Sequence, residues 1–167
     1  NPESNMKLAS GFAPISRMLA AGIPVGLGTD GCASNNDLDL FGEIATAAKI
    51  HKLTEMDPTA MDAVTVLRLA TIGGAWVLGL EKEIGSVEPG KWADLILVDL
   101  EKPHLTPLFN LPSHLVYAAR GSDVVTAVVG GRIVMKDRRL LTIDLPAAMR
   151  EVRGIGRMIR TDRSGQS

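Results

Sequence analysis

Cysteine is almost missing from this 167-residue chain: Cys32 stands alone. No internal disulfide can form, and a lone thiol fits a reducing compartment. Aromatic residues make up only 4 %, which argues against a stacking platform for single-stranded nucleic acid. No apolar run approaches the roughly 20 residues of a membrane-spanning helix. Net charge is −1, so charge gives no reason to invoke nucleic acid or an anionic membrane. His51, His104 and His114 form no pair at H-x-H or H-x-x-x-H spacing. The chain therefore does not complete a three- or four-ligand metal site of the usual kind by itself. Internal repeats and low-complexity tracts are absent. Neither a charged n-region nor an apolar h-region opens the chain, so no signal peptide is read and a cytoplasmic location is expected. Asn1-Pro2-Glu3-Ser4-Asn5 reads as mid-sequence, and the chain is expected to be a piece of something longer.

What is present is the composition of a soluble globular protein, 46 % apolar and 22 % charged. A chain this long buries roughly two-thirds of its unfolded surface. Residues 1–12 are polar and predict a loop. Ile15, Met18, Leu19 and Ala21 keep helical spacing up to Gly22. Ile23-Pro24-Val25-Gly26-Leu27-Gly28 predicts a strand buried on both faces, as in a parallel sheet. A polar loop follows over 32–37, then a helix from about Leu38 to Lys52 with Leu40, Phe41, Ile44, Ala47, Ala48 and His51 on one stripe. Asp57-Pro58-Thr59 predicts another helix start, and Thr71 opens a short helix closed by Gly79.

Composition changes near residue 84. Gly85-Ser86-Val87-Glu88-Pro89-Gly90-Lys91 is turn chemistry, and 94–99 reads as a strand. Two apolar runs, 124–129 and 132–135, flank Gly130-Gly131 and predict a hairpin. Residues 139–142 predict a fourth short strand. A final helix is expected from Pro146 to about Ile159, then a disordered polar tail. Residues 1–99 hold 13 acidic against 7 basic side chains, net −6; residues 100–167 hold 6 against 11, net +5. Two solvated faces of opposite sign explain this better than a nucleic-acid patch, because no aromatics interleave with the arginines.

Asp30 is the sharpest chemical feature. A carboxylate directly after a buried apolar run lies at the strand's C-terminal end, where parallel α/β folds build their sites. Gly28 and Gly31 would let backbone approach a ligand. Such a carboxylate binds a metal or acts as a general base; equally, an aspartate in such a loop caps the next helix. Cys32 reads as a small loop residue, since no base or oxyanion hole accompanies it. The three histidines read as surface or packing residues. Lys7, near Ser4 and Asn5, either lines a pocket or ties down its loop.

These segments together resemble the metal-dependent amidohydrolase superfamily. Asn1-Pro2-Glu3-Ser4-Asn5-Met6-Lys7-Leu8-Ala9-Ser10-Gly11 is similar to the stretch after the family's seventh barrel strand. Gly28-Thr29-Asp30-Gly31 with Ala33-Ser34-Asn35-Asn36 is similar to the end of the eighth. Gly85–Lys91 with Ala93-Asp94-Leu95 resembles the re-entry into the family's small β-sandwich, and Gly130–Val134 its closing hairpin. The likeness covers the chain to about residue 160. It is greatest to the chlorohydrolase/cytosine-deaminase-like branch and, within that, to the 5-methylthioadenosine/S-adenosylhomocysteine deaminases.

The resemblance implies an α/β fold: the C-terminal portion of a (β/α)8 TIM barrel plus part of a β-sandwich. The barrel end would be 1–82, the composite sandwich portion 83–145, a C-terminal helix 146–160 and a flexible tail 161–167. It implies hydrolytic deamination of a purine nucleoside-type substrate by water activated on a divalent metal, typically zinc. Asp30 takes the family's eighth-strand role: metal ligand, catalytic proton handler and substrate contact. The family's histidine ligands and its glutamate have no counterparts here, so the piece alone is expected to be inactive. Other amino- or chloro-heterocycles (guanine, cytosine, an s-triazine) remain alternative substrates, and a non-catalytic scaffold is the alternative of another class. Nucleic acid and membrane are not expected partners, and a homo-oligomer is compatible with the family.

Overall fold

The computed structural model describes residues 1–164, and the side chains of the first 160. Among them seven α-helices and the four strands of one sheet follow in order: α1 (Pro2–Lys7), α2 (Ile15–Ala20), α3 (Leu40–Glu55), α4 (Ala63–Leu69), α5 (Ile72–Leu78), β1 (Leu95–Val98), α6 (Leu111–Tyr117), β2 (Val124–Val129), β3 (Arg132–Lys136), β4 (Arg139–Leu140) and α7 (Leu145–Ser164). None of these helices is long and apolar enough to cross a membrane.

The core lies among the helices. Val25, Ile44, Ala48, Val66, Leu69 and Val116 are buried together, with Met18, Leu19 and Leu27 packed against them. Two caps set the helix starts. The Asp39 carboxylate accepts the Phe41 amide at α3 and the Asp62 carboxylate accepts the Thr65 amide at α4, satisfying amide groups that the first turn leaves unpaired. Asp62 is held below the usual carboxylate range chiefly by that Thr65 amide. Met56 ends α3 and Gly79 ends α5, both in the left-handed region.

The sheet is antiparallel throughout, in the order β1-β2-β3-β4. Gly130 and Gly131 join β2 to β3 with φ of 54° and 76°, the two positive angles that a tight two-residue hairpin demands. Asp137 and Arg138 join β3 to β4 with positive φ as well. The expected hairpin and short fourth strand are therefore present. Ile96, Leu97 and Ile133 are each about half exposed, so the sheet's apolar faces stay largely uncovered within the described residues. So do Leu145, Met149, Val152 and Ile155 along α7.

Four expectations need correction. The 23–28 run forms no strand within the described residues: it joins no ladder, and its Leu27 amide donates to the Leu69 carbonyl at 3.1 Å. A strand exists only through a neighbouring strand, and none pairs with this segment among the described residues. Nor is the run buried on both faces, since Ile23 is 47 % exposed while Val25 is buried. Residues 2–7 are helical rather than looped, with Pro2 in the first turn, where its missing N–H costs nothing, and Glu3 near the positive helix end. The helix expected from Asp57 begins only at Ala63, because Asp62 supplies the cap. Finally, α7 continues through Ser164, past the expected start of the tail; residues 165–167 of that tail lie outside the described residues.

Candidate functional site

Asp30 follows the 23–28 segment after Thr29 and adopts a left-handed conformation, φ 62°. For a residue with a Cβ this costs roughly 1–2 kcal/mol, so the neighbourhood must hold it there. Ser4 on α1 donates its hydroxyl to Asp30 Oδ2 at 2.7 Å, and the Gly31 amide donates to Oδ1 at 2.8 Å. Ser4 itself is buried, whereas Asp30 is exposed. The Ser4 hydroxyl first, then the Gly31 amide and the Ser34 side chain, hold the Asp30 carboxyl below its ordinary range. It stays ionised at neutral pH and open to solvent. Asp30 does not cap the next helix; Asp39 does.

Of the two flanking glycines, only Gly28 is closely approached. A Cβ there would meet Asn1 Oδ1 at 2.8 Å, while one on Gly31 would meet nothing within 4 Å. The glycine at 28 thus lets α1 settle against the segment. Lys7 resolves in favour of tying down a loop: its Nζ donates to the Ser34 carbonyl at 2.7 Å and to Asn36 Oδ1. Asn5 serves through its backbone, its carbonyl accepting the Ser10 amide at 2.9 Å. Cys32 is exposed in the same loop.

Beneath the site lies a charged group that the sequence reading passed over. Glu43 on α3 is fully buried. Its Oε2 accepts the Glu3 amide at 3.1 Å, and its Oε1 accepts Asn35 Nδ2 at 2.7 Å. Asn35 Nδ2 also donates to the Thr29 carbonyl at 2.9 Å. Burial pushes the Glu43 carboxyl up, and the Glu3 amide works against that. A signal was present: residue 43 falls on the apolar stripe of Leu40, Ile44, Ala47 and His51, a position where a glutamate needs partners.

The histidines do not converge on Asp30. His51 is buried, 3.5 Å from Glu55 and edge-on to Phe12. His104 Nε2 lies 2.9 Å from Asp123 Oδ2, and both ring nitrogens of His114 face backbone carbonyls. Among the described residues no three His, Cys, Asp or Glu side chains gather where they could share a metal ion. An exposed, ionised carboxylate fits one ligand of such a site.

Residues 1–134 match the model of the amidohydrolase family. The chain belongs to that family. This amidohydrolase chain is 61 % identical over 160 residues to the 5-methylthioadenosine/S-adenosylhomocysteine deaminase of Syntrophobacter fumaroxidans, covering 96 % of this chain and 36 % of that protein. It is 58 % identical over 144 residues to the 5'-deoxyadenosine deaminase of Methanosarcina mazei, covering 86 % of this chain and 33 % of that one. Among solved structures, an adenosine deaminase from Xanthomonas campestris with bound zinc superposes with a TM-score of 0.92 at 46 % identity, over 96 % of this chain and 36 % of that one. Zinc-complexed atrazine chlorohydrolase TrzN from Arthrobacter aurescens gives 0.84 at 28 % identity, over 91 % and 34 %. The amidohydrolase chain thus spans about a third of the length of these relatives.

Proposed function

We propose that residues 1–167 are the C-terminal third of a metal-dependent deaminase acting on an adenosine-type nucleoside such as 5-methylthioadenosine or S-adenosylhomocysteine. The observation that carries this is Asp30: an exposed carboxylate at the end of an apolar segment, kept ionised and aimed by Ser4 and Gly31. The 61 % identity to a deaminase of that name supports the substrate class. In this reading 1–82 closes a (β/α)8 barrel, 83–145 contributes to a β-sandwich, and 146–160 is a C-terminal helix. The unpaired 23–28 segment, with Ile23 half exposed, is then the last barrel strand, which pairs with strands supplied from elsewhere in the protein.

Asp30 would hold the ion together with ligands from the rest of the barrel. A divalent ion, zinc in this reading, lowers the pKa of a bound water so that hydroxide is available near neutral pH. Asp30 has two tasks of its own. Its carboxylate would help to hold the ion, and it would take a proton from the water as the new C–O bond forms and pass it to the amine as the C–N bond breaks and ammonia leaves. The hydrogen bonds from Ser4 and Gly31 keep the carboxylate ionised, as the first task needs. Ser4 fixes the carboxylate plane so that neither task needs a rotamer search.

The test is ammonia release from 5-methylthioadenosine, S-adenosylhomocysteine and 5'-deoxyadenosine by the zinc-loaded full-length protein. Turnover of at least one is expected. Turnover restricted to guanine, cytosine or a chloro-s-triazine would move the substrate class, and no hydrolysis of any would sink the enzyme reading.

A further inference from the structure

We propose that Glu43 is a positioning residue for Asp30, acting from beneath the site through Asn35 on one side and α1 on the other. The proposal rests on the reading of Asp30 given above. Glu43 touches no reacting group. Its two oxygens receive two donors, and each donor leads to Asp30 by a separate route. Through Oε1 it holds Asn35, whose Nδ2 also holds the Thr29 carbonyl. That carbonyl belongs to the peptide plane from which the φ of Asp30 is turned, and this φ is the costly positive one. Through Oε2 it holds the Glu3 amide, the residue next to Ser4, whose hydroxyl fixes Asp30 Oδ2. A second tie keeps α1 on α3: Thr46 Oγ1 donates to Glu3 Oε1 at 2.8 Å. Backbone angle and carboxylate plane are thus both referred to one buried carboxylate.

The hydrogen-bond directions make the group hard to imitate. Both Glu43 oxygens accept, so the geometry suits the carboxylate and not an amide. In Glu43→Gln the new NH2 faces either the Glu3 amide or Asn35 Nδ2, donor against donor in both orientations, and only the second clash is relieved by turning the Asn35 amide over. Turning it over sets Asn35 Oδ1 against the Thr29 carbonyl. Adding Asn35→Asp restores the link between positions 35 and 43 in the reverse direction, because the introduced amide at position 43 would then donate to a carboxylate. The double variant still has no donor for Thr29.

The experiment measures zinc affinity of the full-length protein by competition with a chromophoric chelator, alongside kcat and KM for 5-methylthioadenosine. Each variant is studied at a temperature where circular dichroism shows it folded. Glu43→Gln is expected to lose roughly 10–100-fold in zinc affinity and in kcat, with KM within about twofold. The double variant Asn35→Asp/Glu43→Gln is expected to regain thermal stability but neither zinc affinity nor kcat. Wild-type values in folded Glu43→Gln, or recovery of zinc affinity along with stability in the double variant, would overturn the proposal. Should Glu43→Gln not fold, Asn35→Ala breaks the Thr29 route while leaving the Glu3 amide bonded; it should show the same loss, and unchanged zinc affinity would overturn the proposal equally. Asp30→Asn separates the two readings. If it retains zinc affinity and kcat, the reading of the site itself falls. If it loses both while the Glu43 and Asn35 variants lose neither, only the positioning role falls.

Discussion

Val25, Ile44, Ala48, Val66 and Leu69 pack into one interior among the helices, whereas Ile96, Leu97, Val129 and Ile133 in the sheet remain about half exposed. The two regions are held by different forces. From β2 to β4 the sheet is stitched by hydrogen bonds between near neighbours in sequence, and the hairpin turns set that register, while β1 joins across a longer connection with Leu95 opposite Val128. The helical region is held by contacts between distant residues: Glu3 with Glu43, Ser4 with Asp30, Gly73 against Val25. The candidate site belongs to the second kind. A group that must sit within tenths of an ångström is placed by buried, long-range contacts, and point changes there should therefore cost most.

The sharpest contrast is in activity. Asp30→Asn in the full-length protein should lower kcat by about 10²–10⁴-fold. Asp94→Ala, which removes the acceptor of the Gly130 amide in the sheet, should leave kcat within about twofold. Steady-state ammonia release compares them directly.

Core packing gives the next effect. Val66 is fully buried on α4, so Val66→Ala should cost about 2–3 kcal/mol in urea unfolding from lost burial and the cavity left behind. Ile133→Ala, at 48 % exposure on β3, should cost less than about 1 kcal/mol. Equal losses would erase the distinction between the regions.

Glycines sharpen it further. A Cβ on Gly73 would stand 2.7 Å from the Val25 carbonyl and 2.9 Å from that of Arg68. Gly73→Ala should then cost about 1–3 kcal/mol by overpacking and shift α5 away from the 23–28 segment. Gly131→Ala meets nothing within 4 Å but keeps φ at 76°, so only the backbone penalty of about 1 kcal/mol applies. The difference can be read in amide hydrogen exchange at Leu27, whose bond to Leu69 should open in the Gly73 variant alone.

The smallest effect is at the α4 cap. Asp62→Ala should cost about 1 kcal/mol at pH 7. The folded carboxyl is depressed by the Thr65 amide. Its contribution is therefore complete above the ordinary aspartate range, near pH 4, and is lost as pH falls through the lower folded value. The gap between wild type and variant should narrow on acidification and close in strong acid.

The same division explains what could be read in the sequence. The hairpin at 124–135 was legible because Gly130-Gly131 between β-branched runs is a local statement, and the main length of α3 because its stripe recurs every three to four residues. The run at 23–28 has the apolarity of a strand but no partner within the described residues, where that apolarity buries Val25 against helices; strand pairing is a property of partners that a run cannot declare. Residues 2–7 looked like a loop because they are polar, although Pro2 and Glu3 are helix-start chemistry. Asp30 was legible by its place after an apolar run and by resemblance. Lys7 is legible without its partners and Ser4 only as a neighbour of Lys7, while Glu43 is not legible, because a glutamate within a helix reads as solvated until the apolar stripe is seen to run through it.

Whether Asp30 is a ligand in a deaminase site is tested most directly by the zinc dissociation constant of the full-length protein beside that of its Asp30→Asn variant, both folded, by chelator competition. Tight binding at one ion per site is expected in the wild type, and affinity weaker by at least tenfold in the variant. Equal affinity in the two would contradict that role, and would leave the Ser4–Asp30 hydrogen bond as a loop anchor and nothing more.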